Sequence, residues 1–354
     1  MRIRELIRRI PKKYLHLKII NLIKYALFRK LIYRKFKYFK LPYMPLTMDV
    51  EPTTGCNFRC TMCDVASPNW VTKNMKIETF QKLVDMNKQL LQIKLQGMGE
   101  PLVNKHYLKF VEYASNYGIF ITFVTNGSLL KENIINSLFE KNNISQISVS
   151  IDGATKETFE KIRVRSNFDE IVVNTRKLIS KFKEKERRKR PILNAVSLIQ
   201  KENFHEVEQI MHLCKNLGFD DLSFQVQLTG WGKKDWELNN SKKDINYYDV
   251  KTNQLFKEII EKGKEMNFPI RVYEENLLSK ENPCAYPWNT PYVNTEGQLS
   301  PCTMIPDPKV FSFGSIHDSD FNKIWNSDKY KSFRRDINSN NIRDYCKNCY
   351  KSRI

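Results

Sequence analysis

Apolar residues keep helical spacing through the first forty positions, then give way to short apolar runs separated by longer amphipathic ones. Ile3, Leu6, Ile7 and Ile10 recur near every 3.6 residues, and Pro11 interrupts. Leu15, Ile19, Leu22, Ile23, Ala26, Leu27, Phe28 and Leu31 then resume the period. Lys and Arg fill the gaps, so residues 1–43 predict a basic amphipathic helical arm. From residue 44 the rhythm changes. Runs at 46–51, 93–97, 120–125, 147–151, 193–198 and 222–227 predict strands, and stretches near 77–90, 104–117, 130–141, 155–183 and 203–217 predict the intervening helices. Six such units imply an α/β fold of parallel strands joined by crossover helices. A complete eight-fold barrel takes about 250 residues. Residues 44–228 therefore fit an open, partial (β/α)6 TIM-like barrel. A Rossmann sheet is the alternative, but the first strand leads into cysteines and not into a glycine-rich phosphate loop. Residues 229–279 are polar, with one helix near 246–266, and read as a linker. Residues 280–354, rich in turns, prolines and cysteines, read as a small C-terminal domain.

At 41% hydrophobic and 12% aromatic, the 354 residues can build a sizeable core. The net charge of +20 is unevenly placed: residues 1–43 hold 14 Lys and Arg against Glu5 alone, a net of +13, which leaves +7 for the rest. The bulk of the chain is therefore not a basic nucleic-acid binder, and nucleic acid is not expected as a partner. The basic run at 181–190 reads as the solvated end of a helix before Pro191. The N-terminal arm either packs on the main domain or lies on an anionic membrane surface. Its uncharged apolar stretches, 19–23 and 25–28, fall far short of the roughly 20 residues a bilayer needs. Lys12, Lys13, Lys18 and Lys24 interrupt the apolar region of any secretory signal. The expectation is a cytoplasmic protein, peripheral to the inner face of the membrane if the arm binds lipid.

Eight cysteines in such a chain point to metal or redox chemistry. Cys56, Cys60 and Cys63 follow the first strand as C-x3-C-x2-C. Three thiolates in one loop can hold three irons of a 4Fe–4S cubane and leave the fourth open for chemistry. A closed zinc site wants four ligands, and no fourth Cys or His lies nearby in sequence. Cys284, Cys302, Cys346 and Cys349 form a second set in the tail. They suffice for one fully ligated cubane, and a four-cysteine zinc ribbon is the alternative. Cys302 ends a hairpin-like segment, VNTEGQLSPC, with its turn at Glu296–Gly297. Cys214, at helical spacing from Ile210 and Leu217, reads as core. His16, His106, His205, His212 and His317 form no ligand-spaced group.

These motifs resemble the radical S-adenosylmethionine (SAM) enzymes with a C-terminal SPASM/twitch auxiliary cluster domain, over residues 44–228 and 280–352. The resemblance implies that the open iron at Cys56, Cys60 and Cys63 chelates SAM. An electron then cleaves SAM to methionine and a 5′-deoxyadenosyl radical, which abstracts hydrogen from substrate. Met98-Gly99-Glu100-Pro101 matches the glycine–glutamate motif that contacts the methionyl amine, with Met98 replacing the usual first glycine. Thr125-Asn126-Gly127 matches the family's T-N-G at the third strand end. Ser150 and Asp152 match the S-x-D position near the ribose or carboxylate, and Arg163 matches an arginine near the SAM carboxylate. Asn194, Ser197 and Gln225 are further positions on strands five and six suited to face the cofactor, and Met62 stands where an aromatic often packs on adenine. Gly314, Ile324-Trp325 and the closing C-x2-C extend the likeness into the tail.

Two 4Fe–4S clusters and SAM are thus the implied cofactors, and a flavodoxin or ferredoxin the implied electron donor. An auxiliary cluster suits a two-electron oxidation, because the substrate radical can pass its second electron to metal. The expected reaction is oxidation of a small-molecule, carbohydrate or lipid-linked substrate. The alternative is a peptide or protein, disfavoured by an arm shorter than the usual leader-binding module. Two other readings are weaker. A non-catalytic metal scaffold conflicts with intact Cys56, Cys60, Cys63 and Glu100. An RNA-methylating enzyme, which shares the Gly97–Leu102 pattern, needs extra methyl-carrying cysteines. The base that takes the coupled proton is not identified.

Overall fold

Strands, most of them buried on at least one face, alternate with helices buried along one stripe, in a computed structural model that describes residues 12–28, 40–247, 249–273, 284–339, 341–347 and 349. Helix α1 spans Lys12–Leu27; the arm's remaining positions, 1–11 and 29–39, lie outside the described residues. The β/α series then runs β1 (Thr47–Val50), α2 (Ile77–Met86), β2 (Gln92–Leu95), α3 (Tyr107–Asn116), β3 (Phe120–Thr125), α4 (Glu132–Glu140) and β4 (Ile144–Ser150). It continues with α5 (Lys156–Ile162), α6 (Phe168–Lys183), β5 (Ile192–Leu198), α7 (Val207–Leu217) and β6 (Asp221–Gln225). After these come α8 (Lys234–Ser241), α9 (Val250–Glu265) and β7 (Ile270–Tyr273). The tail holds α10 (Tyr286–Asn289), β8 (Tyr292–Val293), β9 (Gln298–Ser300), β10 (Gly314–Ser315), α11 (Phe321–Trp325) and α12 (Asp328–Asn338).

All six expected strands are present. The helix expected over 155–183 is two helices. Arg163 ends α5 in a non-helical conformation, Arg165 has φ +71°, and the Asn167 side chain accepts from the Glu170 amide at 3.0 Å to start α6. That break places the Arg163 side chain against the turn after β4. The expected linker is also not one. Its α9 packs on α7 and β7, its α8 is hydrogen-bonded through Asn240 to Met62, and β7 pairs in parallel with β6, register Leu222 to Ile270. The polarity of the segment reflects in part the amphipathic α9, with Phe256 and Ile259 buried and Lys251, Lys257, Lys262 and Lys264 exposed.

Contacts divide the chain into two compact units that do not follow the expected boundaries: Met1–Thr54 with Thr72–Ile121 and Asn276–Ile354, and Gly55–Val71 with Thr122–Glu275. In the first, the strand order is β10-β9-β8-β1-β2. The tail joins this unit because β8 pairs in parallel with β1, Asp49 to Tyr292 and Val50 to Val293, before turning back antiparallel to β9. Asn294 accepts from the Glu296 and Gln298 amides at 3.0 and 2.9 Å, and Gly297 takes φ +75° in the turn. In the second unit the order is β4-β5-β6-β7, parallel throughout. β3 runs from one unit into the other.

Candidate iron–sulfur and cofactor site

The second unit carries the three-cysteine loop. Its backbone is pinned to the end of α5, with the Arg59 amide donating to the Val164 carbonyl at 2.9 Å and the Thr61 amide to the Ile162 carbonyl at 3.0 Å. Met62 is buried with Ile162 and Leu228, and Cys60 packs against that cluster. A polar ring ties the loop to the T-N-G turn. Asn126 donates to Asn57 at 3.0 Å, Asn57 to Ser128 at 2.8 Å, and Ser128 back to Asn126 at 2.6 Å. The Asn126 amide also reaches the Cys56 sulfur at 4.0 Å, and the Phe58 amide donates to it at 3.4 Å. Hydrogen bonds to cluster sulfurs tune an iron–sulfur centre.

Withdrawal from water pushes the Cys60 thiol up to about 11, against the pull of the nearby Arg163 cation, and the Cys63 thiol up to about 12, with Cys60 adding to the rise. Iron must therefore displace protons here, as thiolate ligation always requires. Arg163 links this loop to Asp152. Its Nε and Nη2 lie 2.8 and 2.7 Å from one carboxylate oxygen, while the other accepts from the Leu198 amide at 2.8 Å. Asp152 is fully buried and holds Arg163 in place. Glu206 fixes the same turn, accepting from the Ala154 amide at 2.7 Å and the Thr158 hydroxyl at 2.6 Å.

Ser150 lies on the strand face that also carries Ser148 and, across the register, Asn194 and Gln225. Ser197, three positions from Asn194, lies on the opposite face, so the two cannot address one ligand. Asn194 is held by Ser148 at 3.0 Å and Asp221 at 2.6 Å.

Sequence reasoning passed over α8. Asn240 donates to the Met62 carbonyl at 3.0 Å and the Thr229 carbonyl at 2.7 Å. Lys233 pairs with Asp64 at 2.6 Å, and Trp236 donates to Ser67 at 3.2 Å. The segment is a clamp on the cysteine loop. Nothing in its polar composition announced that, because its partners are backbone carbonyls and side chains far away in sequence.

The first unit carries Gly99 and Glu100 and the tail cysteines. Met98 donates its amide to the buried Glu51 at 3.0 Å, and Gly99 donates its own to the Thr53 carbonyl at 3.2 Å. A Cβ on Gly97 would lie 2.3 Å from Glu51 Cγ, so only glycine admits this close packing. Glu100 accepts from the Leu102 amide at 3.3 Å and is buried. Burial raises Glu51 to about 7, opposed by the Met98 amide and the nearby Tyr292 hydroxyl. Cys302 lies within electrostatic reach of Cys284, Cys346 and Cys349, and all four are partly exposed. Burial raises the Cys302 pKa well above the usual thiol range, and Cys284, Cys346 and Cys349 all add to the rise. Burial likewise lifts Cys346 to about 12, with Cys284 adding. None of the eight cysteines, all of them described, is in a disulfide. The three-thiol loop, with two amide donors at Cys56, and the four partly exposed tail thiols have the ligand chemistry of an open and a closed iron–sulfur centre, respectively, although among the described residues no three such side chains are drawn together closely enough to hold one metal ion.

A three-cysteine set and a four-cysteine set in one chain define the class of iron–sulfur proteins with an open and a fully ligated cluster. The chain belongs to the radical SAM superfamily: residues 50–224 match the Radical SAM superfamily model and residues 284–350 the SPASM iron–sulfur cluster-binding domain. Its fold is the mixed α/β partial TIM barrel of that superfamily, and its two domains imply a SAM-binding 4Fe–4S cluster, an auxiliary 4Fe–4S cluster and SAM. The chain is 25% identical over 287 residues to the antilisterial bacteriocin subtilosin biosynthesis protein AlbA of Bacillus subtilis (strain 168), across 80% of this chain and 60% of AlbA. It is 24% identical over 320 residues to the tungsten-containing aldehyde ferredoxin oxidoreductase cofactor-modifying protein of Pyrococcus furiosus, across 85% and 86%. Streptococcus suis SuiB, solved with the precursor peptide SuiA, shares the fold at TM-score 0.68 and 14% identity, covering 86% of this chain and 69% of SuiB.

Proposed function

We propose that this protein is a peptide-modifying radical SAM enzyme that carries out a two-electron oxidation. The observation that supports it most directly is a second set of four cysteines, within a match to the SPASM domain, in a chain whose three-cysteine loop is intact. When bound, the two clusters supply the electron that cleaves SAM and an acceptor for the electron leaving the substrate. Cys56, Cys60 and Cys63 would hold the first cluster, and Cys284, Cys302, Cys346 and Cys349 the second. In the first unit the Gly99 and Glu100 segment, anchored by Glu51, would accept an ammonium such as that of SAM. In the second, Arg163, held by Asp152, would meet a carboxylate, with Asn126 and Ser150 as further polar contacts for the cofactor. A low-potential donor of the flavodoxin or ferredoxin class supplies the first electron.

A peptide substrate is favoured over the small or lipid-linked molecule expected from the sequence. SuiB, of the same fold, is described with a precursor peptide, and AlbA with a bacteriocin. The small-molecule reading is kept by the Pyrococcus relative, described as cofactor-modifying and matched over 86% of its length. The experiment that decides is anaerobic turnover of the reconstituted protein with SAM and reductant, using peptides encoded by neighbouring genes. Release of 5′-deoxyadenosine that rises with one peptide, and loss of two hydrogens from it by mass spectrometry, is the expected result. No mass change in any peptide, with stimulation by a small molecule instead, would overturn the peptide assignment.

A further inference from the structure

Helix α1 docks through aromatic and polar side chains and turns its aliphatic ones outward. Tyr14, Lys18, Asn21, Tyr25 and Phe28 form one stripe at spacings of three and four residues, and that stripe faces the protein. Tyr14 stacks on Tyr117 at 4.9 Å, and Tyr25 and Phe28 meet Tyr43 edge-on at 5.1 and 5.4 Å. Asn21 clamps the Met44 backbone at both ends, donating to its carbonyl and accepting from its amide, each at 2.9 Å. Lys18 is buried and donates to the Leu90 carbonyl; burial lowers its ammonium to about 7.

The aliphatic residues point the other way. Ile19, Ile20, Ile23 and Leu27 are 44%, 48%, 52% and 51% exposed, with Leu17 and Leu22 beside them. Lys13, His16 and Lys24 are exposed on the same outer side, and no Asp or Glu occurs between Glu5 and Asp49. A structural arm would bury Ile20 and Ile23 and leave Lys18 in water; this one does the reverse. Isolated exposed aliphatics need no explanation, but a contiguous row does. Cations flanking that row, with no anion anywhere in the segment, complement an anionic surface. A second copy of this chain suits it poorly. A two-fold contact through the same face would set each arm's lysines against their own kind.

We propose that α1 is a membrane-docking helix: Ile19, Ile20, Ile23 and Leu27 enter the headgroup boundary of an anionic bilayer while the opposite stripe holds the helix rigidly to the protein. This goes beyond the catalytic reading and does not depend on it. The docked stripe matters as much as the exposed one. A helix that only partitions into lipid would swing freely, whereas Asn21 and the aromatic contacts fix the orientation of the unit that carries it.

The test is co-sedimentation of the full, reconstituted chain with vesicles of mixed neutral and anionic phospholipid, and with purely neutral vesicles. The wild type should associate with the anionic vesicles and release steeply as salt is raised, since surface charges are screened within about 10 Å at 0.1 M. Ile20→Glu/Ile23→Glu should weaken association at least about tenfold, because it puts carboxylates into the interface. Lys13→Glu/Lys24→Glu keeps the aliphatic row and should lose the preference for anionic over neutral vesicles. In both variants, 5′-deoxyadenosine formation without vesicles should equal that of wild type, which shows that the protein remains folded. Three results would overturn the proposal. One is no association of the wild type with anionic vesicles. Another is equal association by the aliphatic double variant. The third is a wild-type dimer that this variant dissolves, with no vesicle binding.

Discussion

Two buried carboxylates, Asp152 just past β4 and Glu51 just past β1, show how single residues set the chemistry here. Asp152 and Arg163 were both legible in sequence as cofactor positions, yet their main contact is with each other. Removing the cation leaves a fully buried charge without its partner, and breaking such a pair costs about 3–5 kcal/mol. We therefore expect Arg163→Met to be strongly destabilised in urea unfolding, and Arg163→Met with Asp152→Asn to recover a large part of the loss. Equal instability of the single and double variants would mean the pair does not matter in this way. Glu51 behaves differently. Burial holds its folded pKa near 7 against 4.5 when unfolded. Between those values the folded state keeps a proton that the unfolded state has released, so stability falls as pH rises through that window. Glu51→Gln retains the oxygen that accepts from Met98 and never ionises. It should match wild type at pH 4.5 and exceed it at pH 8 by about 2–3 kcal/mol. Parallel urea titrations at the two pH values check this; a constant difference would show that Glu51 does not titrate across the window.

Elements explain what the sequence could and could not disclose. The six core strands and most helix positions were readable, because apolar periodicity survives wherever one stripe or both faces are buried. The break at Arg163–Asn167 was not, because Arg165 in a left-handed conformation and a capping Asn leave no gap in the apolar rhythm. Of the cofactor candidates, cysteine spacing and strand-end motifs were legible as patterns, whereas the Asn57, Asn126 and Ser128 ring required tertiary pairing to be seen. The arm's direction was hidden for a related reason: periodicity identifies an apolar face but not which side the protein takes. The same limit concealed α8. Asn240 is the element's buried anchor, and it satisfies two carbonyls at once. Leaving a buried acceptor unpaired costs about 1–3 kcal/mol. Asn240→Ala should lower the melting temperature and, because one of those carbonyls belongs to Met62 inside the cysteine loop, speed loss of iron on gel filtration. Iron retention equal to wild type would show that α8 is dispensable to the loop.

At the scale of the whole molecule, two sets of cysteines imply two separable functions. On the proposed reading the three-cysteine set leaves one iron free to bind SAM, and the four-cysteine set leaves none and serves to pass electrons. The tail set is built into the fold by more than its ligands. Trp325 is buried with its indole donating to the Tyr43 carbonyl at 3.0 Å, and Arg334 stacks 4.4 Å from that ring while donating to the Pro287 carbonyl at 2.8 Å. A tail shaped by such contacts should keep its own metal when the other set is removed. Anaerobic reconstitution should yield about eight irons and eight sulfides per chain, and replacing Cys56, Cys60 and Cys63 together with Ala should leave about four. Zinc without sulfide in that triple variant would restore the zinc-ribbon alternative for the tail. Function should divide in the same way. Cys60→Ala should abolish 5′-deoxyadenosine formation, since the site for SAM is lost with its iron. Cys346→Ala should retain part of that activity yet leave the substrate unoxidised, because the electron that follows the first hydrogen has nowhere to go. Comparing deoxyadenosine with oxidised product in the two variants checks this directly. Equal loss of cleavage in both, with secondary structure intact, would show that the tail cluster is needed for SAM chemistry itself and is not reserved for the second electron.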